Sequence, residues 1–353
     1  MKKSSRKAAG GLARIISVIA AGVAAILLLI WLQEVLPSAV GMYHFRILML
    51  SGIAIILAVS LNLVNGFAGQ FSLGHAGFYA VGAYCSAYVT HTWGACITGY
   101  LVGGLRMSEP MVTSALMLLA ICVGVITASI AGLLVGLPSL RLRGDYLAIA
   151  TLGFGEAIRA IIQNTEAVGA QRGFTGINIY TSFAWVYGCA ALVVVFSRNL
   201  AMSSHGRALF AIRDDEVAAE SAGVNVFRYK AMAFVMSAAW AGVAGALFAH
   251  LEGYLSPKSF DFMKSIDIVV MVVLGGGGSI TGSVVAAVAL TALPEMLRSI
   301  QSYRMVGYAV LLIVLMLTRP QGLFGRSEFS LRHLRRRSPL DTKTGGSREG
   351  RRP

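Results

Sequence analysis

Glu156 and Arg159 stand three residues apart in an apolar run, a spacing that places an acid and a base on one face of a helix. An acid in such surroundings could relay protons or couple an ion, and the base beside it could equally neutralise it as a structural pair. Asn62, Gln70 and His75 are also polar groups in apolar surroundings, suited to bridging helices or to facing a polar solute. Other chemistries lack their residues. His44, His75, His91, His205, His250 and His333 are scattered without a nucleophile and base around them, so no catalytic residue is assigned. Cys85, Cys96, Cys122 and Cys189 show neither a C-x-x-C spacing nor a histidine partner, and neither metal nor disulfide is expected. None of the lysines, Lys2, Lys3, Lys7, Lys230, Lys258, Lys264 and Lys343, follows glycine in a Gly-Lys-Ser/Thr loop. The run Gly275–Gly278 is therefore no nucleotide cradle, and the chain is expected to bind no cofactor itself.

The elements that must carry these residues are apolar. Hydrophobic residues make up 56% of the chain and charged ones 13%, with a mean hydropathy of +0.71. A bilayer core takes about 20 apolar residues per helix. Runs near that length recur at Ile15–Leu32, Phe45–Val64 and Met111–Val135, so the chain reads as an all-α polytopic membrane protein.

The net charge of +14 is concentrated at the ends. Residues 1–14 carry five Lys or Arg and no acid, and residues 326–353 carry nine against three acids. Aromatic residues do not interleave with these cations as stacking platforms would require, so the tails read as topology signals and anionic-lipid contacts, not as nucleic-acid sites. The first apolar run is too long for a signal-peptide core and reads as a retained helix. Crossings are placed at 15–32, 45–65, 67–90, 111–137, 146–163, 182–197, 231–251, 266–276, 281–296 and 304–318. Both termini then lie in the cytoplasm, and 22 of the 30 Lys and Arg fall on cytoplasmic segments. The domain layout is a basic tail at 1–14, a transmembrane body at 15–325 with a cytoplasmic segment at 198–230, and a basic, disordered tail at 326–353.

Two places interrupt this pattern with glycine. Asn65–Phe78 opens the third crossing, and Gly275–Gly282 joins the eighth to the ninth. Glycine is poor in helix interiors, and the backbone groups it frees inside a bilayer still need partners, so such breaks persist where they pack closely or line an enclosed path. Their matching Gly-Ser-Gly character suggests related positions in two halves. The path candidates are Asn62, Gly69, Gln70, Ser72, Gly74 and His75 in the first break, and Gly275, Gly276, Gly277, Gly278 and Ser279 in the second.

A charged island, Gly206–Gly223, lies between two apolar spans within the cytoplasmic segment 198–230. Asp214 and Asp215 offer N-cap oxygens, Ala218, Ala219 and Ala222 keep the following turns slim, and Gly223 can take a left-handed stop. A slim helix of that kind can enter a groove on another protein. Gly206, Arg207, Arg213, Asp214, Asp215, Glu216, Ala218, Ala219 and Gly223 are the docking candidates.

The alanine pair followed three residues later by Gly223 resembles the loop by which ABC importer permeases engage their ATPases. Val217 stands where that loop usually has an acid, and its later Ile-x-Leu-Pro element is missing. Further segments agree in order: Gly69-Gln70-Phe71-Ser72-Leu73-Gly74-His75-Ala76-Gly77-Phe78, then Leu142 to Glu156, then Gly275 to Gly282, and Arg319-Pro320-Gln321-Gly322-Leu323-Phe324-Gly325. Together they resemble the M-type permease of branched-chain amino acid ABC importers, the Liv type. The resemblance implies a second permease of the H type, two ATP-binding subunits that hold ATP and Mg, and a periplasmic or surface-anchored binding protein. It implies a fold of roughly eight to ten transmembrane helices and a non-catalytic subunit in a bacterial inner membrane that passes leucine, isoleucine or valine. Urea and short-chain amide importers resemble the same family, and an ion-coupled transporter built around Glu156 is the remaining alternative.

Overall fold

A computed structural model describes residues 28–103, 108–142, 144–296 and Ile313. Helix α1 spans Leu28–Val40, and α2 spans Met42–Asn62 and runs on into one wider π-helical turn, Leu63–Phe67. After an extended stretch come α3 (His75–Gly103), α4 (Glu109–Ser139), α5 (Asp145–Asn164) and α6 (Phe183–Met202). Two short helices, α7 (Ser204–Asp214) and α8 (Glu216–Ser221), lead into α9 (Val226–Glu252), α10 (Phe262–Gly275) and α11 (Ile280–Met296). Four helical spans, Met42–Phe67, Glu109–Ser139, Phe183–Met202 and Val226–Glu252, are each long and apolar enough to cross a membrane.

Several boundaries differ from the sequence expectation. The first crossing, placed at 15–32, lies largely outside the described residues, and its helix continues past Leu32 to Val40. The third crossing does not begin at 67. Phe67 still belongs to the end of α2, residues 68–74 are non-helical, and α3 starts only at His75. Helices α6 and α9 claim the margins of the 198–230 segment, so only 203–225 separates them. The tenth crossing at 304–318, the 319–325 match and both basic tails lie outside the described residues, apart from Ile313.

The centre of the bundle is α3, α4 and α9, which pack along most of their lengths, with α2 laid against α6, α9, α10 and α11. Small residues set the spacing. A Cβ on Gly124 of α4 would sit 2.7 Å from the Gly242 carbonyl oxygen of α9, and Ala128, Ala238 and Ala246 flank the same crossing. Without a hydrophobic drive between helices in lipid, such close approach supplies the dispersion and Cα–H contacts that hold them. Gly242→Leu is therefore expected to force α4 and α9 apart at a cost of about 3 kcal/mol. Thermal unfolding of the detergent-solubilised protein checks this, with Gly188→Ala, where a Cβ meets nothing within 4 Å, as the unaffected control.

Polar contacts pin the two ends of the bundle. At one end Arg46 of α2 pairs with Glu252 of α9 at 2.6 Å, His91 of α3 bonds the Gly176 carbonyl, and Phe174 forms a bridge with Leu255. At the other end α7 sits beside the π-turn that ends α2, with Arg213 against Gly278, α8 packs on α7 and α9, and Lys230 of α9 pairs with Glu216 at 2.6 Å.

Candidate functional site

The two glycine breaks, far apart in sequence, meet. Asn62, 1% exposed at the end of α2, holds the second break with both ends of its amide: Nδ2 donates to the Ser279 carbonyl at 3.2 Å, and Oδ1 accepts the Gly278 N–H at 2.9 Å. The Gly278 N–H has no main-chain acceptor among the described residues where α10 stops and α11 has yet to start, so in a dry interior it needs such a partner; the Ser279 carbonyl also accepts from Ser283 N–H at 3.2 Å. The contact depends on Gly66. A Cβ there would overlap Asn62 Oδ1 and the Gly278 nitrogen.

Ser279 also caps α11, its Oγ accepting from Gly282 N–H at 3.2 Å, and Gly275 packs directly on Gly282. Gly276 is the left-handed stop of α10, and Gly277 faces open space.

The extended stretch after Phe67 is tied down residue by residue. Gln70 is buried and its N–H reaches the Val64 carbonyl, while its Oε1 has no partner among the described residues. Ser72 donates its N–H to Asn65 Oδ1 at 3.2 Å, and Leu73 donates to Thr151 Oγ1 at 3.1 Å. Gly74 packs on the Thr151 backbone of α5, and Ser265 of α10 accepts the Ala76 N–H at 3.1 Å. His75 is buried and lies 2.9 Å from Ser60 Oγ, where it bridges α3 to α2. Glu156 and Arg159 form the expected pair on α5, at 2.8 Å.

The charged island folds as two helices, not one. Ser203 caps α7 through the Gly206 N–H, and Gly206 packs tightly on Leu200 and Ala201, while Arg207 donates to the Met202 carbonyl at 3.3 Å. Of the two aspartates only Asp215 is an N-cap, with Oδ1 accepting from Val217 and Ala218 N–H at 2.9 and 3.0 Å. Asp214 ends α7 and binds Arg213 instead, because its Cα falls one residue short of the cap position. Gly223 takes φ +85° after α8. Ala219 turns inward onto Ile212 and Val226, whereas Val217, 69% exposed, and Ala218 form the outward face of α8.

Arg213 joins this island to the breaks. Its Nη1 donates to the Gly66 carbonyl at 3.0 Å, its guanidinium lies 5.0 Å over the Phe210 ring, and Phe210 packs at 5.0 Å on Phe67. Nothing in the spacing of residues marks that link, since the acceptor is a main-chain oxygen distant in sequence. Ser60, Thr151 and Ser265 were likewise hidden as ordinary small polar residues.

A bundle of long apolar helices, with two backbone breaks joined inside it and a short helical island at one end, is the build of a multi-pass membrane permease. The chain belongs to the branched-chain amino acid transport system permease component family, whose profile matches residues 43–318. It is 37% identical over 322 residues to the high-affinity branched-chain amino acid transport system permease protein LivM of Salmonella typhimurium, covering 81% of this chain and 71% of that protein. The LivM protein of Escherichia coli is 36% identical over 323 residues with the same coverage. LivH of Salmonella typhimurium, a permease of the same transport system, is 27% identical over 299 residues, covering 77% of this chain and 91% of LivH.

Proposed function

We propose that this chain is the M-type permease subunit of an ATP-driven importer that passes leucine, isoleucine and valine across a bacterial inner membrane, with both termini in the cytoplasm. A second, H-type permease completes the path, two ATP-binding subunits dock on α7 and α8, and a periplasmic or surface-anchored binding protein delivers the solute. The subunit itself hydrolyses nothing; ATP and Mg belong to its partners. The likeness to LivM over most of the chain supports the transport role. The observation that carries the mechanism is the contact of α7 with both helix breaks.

ATP binding draws the partner subunits together and shifts the α7–α8 lever. The lever acts on the Gly66–Gly278 junction, so that the breaks rearrange between inward-open and outward-open states. Gly69, Gln70, Ser72, Gly74 and His75, with Gly275–Ser279, are the part of the path that moves. Cells that lack their own importers and express the full operon should accumulate labelled leucine, and excess isoleucine or valine should compete. Accumulation of urea with no accumulation of leucine would replace the substrate while leaving the permease role intact.

A further inference from the structure

We infer that Arg213 is the positioning residue through which α7 controls both helix breaks at once; this rests on the importer function proposed above and gives it a specific mechanical link. The side chain belongs to a segment expected to face a partner protein, yet it points into the permease and is only 21% exposed. Three contacts fix its direction. Nη1 donates to the Gly66 carbonyl, Nε and Nη2 both reach Asp214 Oδ1 at 3.3 Å, and the Phe210 ring lies beneath the guanidinium.

The Gly66 carbonyl is available because α2 leaves helical geometry there: the π-turn closes with Ala68 N–H on Leu63 and Gln70 N–H on Val64, which leaves Gly66 without a following amide. A guanidinium supplies the donor that the main chain does not. Arg213 also touches the rest of the junction. A Cβ on Gly278 would lie 3.0 Å from Nη1, and a Cβ on Gly69 would lie 2.7 Å from Arg213 Cγ. Arg213 thus sits against Gly66 and Gly69 in the first break and against Gly278 in the second, while Asn62 locks the two breaks to each other.

A displacement of α7 therefore reaches both breaks through one side chain. The tilted ring contact of Phe210 on Phe67, at 5.0 Å, holds the platform under the arginine in place. Loss of the guanidinium should leave ATP turnover disconnected from the junction.

The test is leucine imported per ATP hydrolysed, measured in proteoliposomes that hold the purified complete complex with its binding protein. Arg213→Ala is expected to lower that ratio about tenfold per assembled complex, within the range of ordinary coupling free energies. Arg213→Lys, which keeps a donor for the Gly66 carbonyl, is expected to fall between the two. Gly69→Ala, whose methyl would press on Arg213 Cγ without removing any charge, should lower the ratio as well, and it serves if Arg213→Ala does not assemble. A wild-type ratio in Arg213→Ala, or in Gly69→Ala where the former does not assemble, overturns the inference, whatever happens to yield. Lack of leucine import by the wild-type complex overturns both the inference and the function on which it rests.

Discussion

Gly66→Ala is expected to abolish transport while the analogous change at Gly188 of α6 is harmless. The Gly66 methyl would occupy the space of Asn62 Oδ1 and of the Gly278 amide, so α2 and the α10–α11 junction must part or the Asn62 clasp must open. Either outcome leaves the part-buried Gly278 N–H without its partner, which costs about 1–3 kcal/mol. With backbone overlap added, the penalty against the joined state is about 3 kcal/mol. At about 1.4 kcal/mol per decade this is a loss of about a hundredfold in the population of the joined state. Labelled leucine uptake at matched membrane levels checks it. At Gly188 an added Cβ meets no described atom within 4 Å, so Gly188→Ala should transport normally.

Gly223→Val is expected to detach the ATP-binding subunits and leave the permease in the membrane. Gly223 holds φ +85° with open space around its Cα, so the new side chain clashes with nothing nearby; the whole effect lies in the backbone. A β-branched residue in the left-handed region costs about 1–3 kcal/mol. The chain relieves that strain by abandoning the turn in which Gly223 N–H bonds Glu220 and Val224 N–H bonds Ala219. The outward face of α8, Val217 and Ala218, then loses its fixed angle. Co-purification of the ATP-binding subunits should fall about tenfold or more, and Gly223→Asn, which tolerates left-handed geometry, should retain most of it. Normal co-purification by Gly223→Val would exclude α8 as a dock of fixed shape.

The apolar runs announced α2 and α4 because each crossing must be satisfied by its own sequence, and the Gly275–Gly278 stop between α10 and α11 was equally visible. The entry into α3 was not visible. Residues 67–74 are as apolar and small as the helix that follows, and the fact that ends α2 at Phe67 is a π-turn stabilised from outside by Arg213. Asp214 and Asp215 are chemically equal as caps. Only the one-residue break between α7 and α8 decides that Asp215 caps and Asp214 pairs with arginine. Asn62 stood out as an amide among apolar residues, and its partners did not, because they are main-chain atoms that any residue would offer. The same holds for the inward direction of Arg213. Short-range propensity marks helices and caps, whereas the junction is made by tertiary contacts to backbone groups, which leave no trace in residue type.

Affinity purification of the tagged chain from its own gently solubilised membranes, with co-purifying proteins identified by mass spectrometry, tests the importer assignment most directly. The account predicts two subunits with phosphate-binding Gly-Lys-Ser/Thr loops and a second apolar permease of the same family. Recovery of the chain alone or as a homo-oligomer, under conditions that preserve other ATP-driven importers, would contradict it.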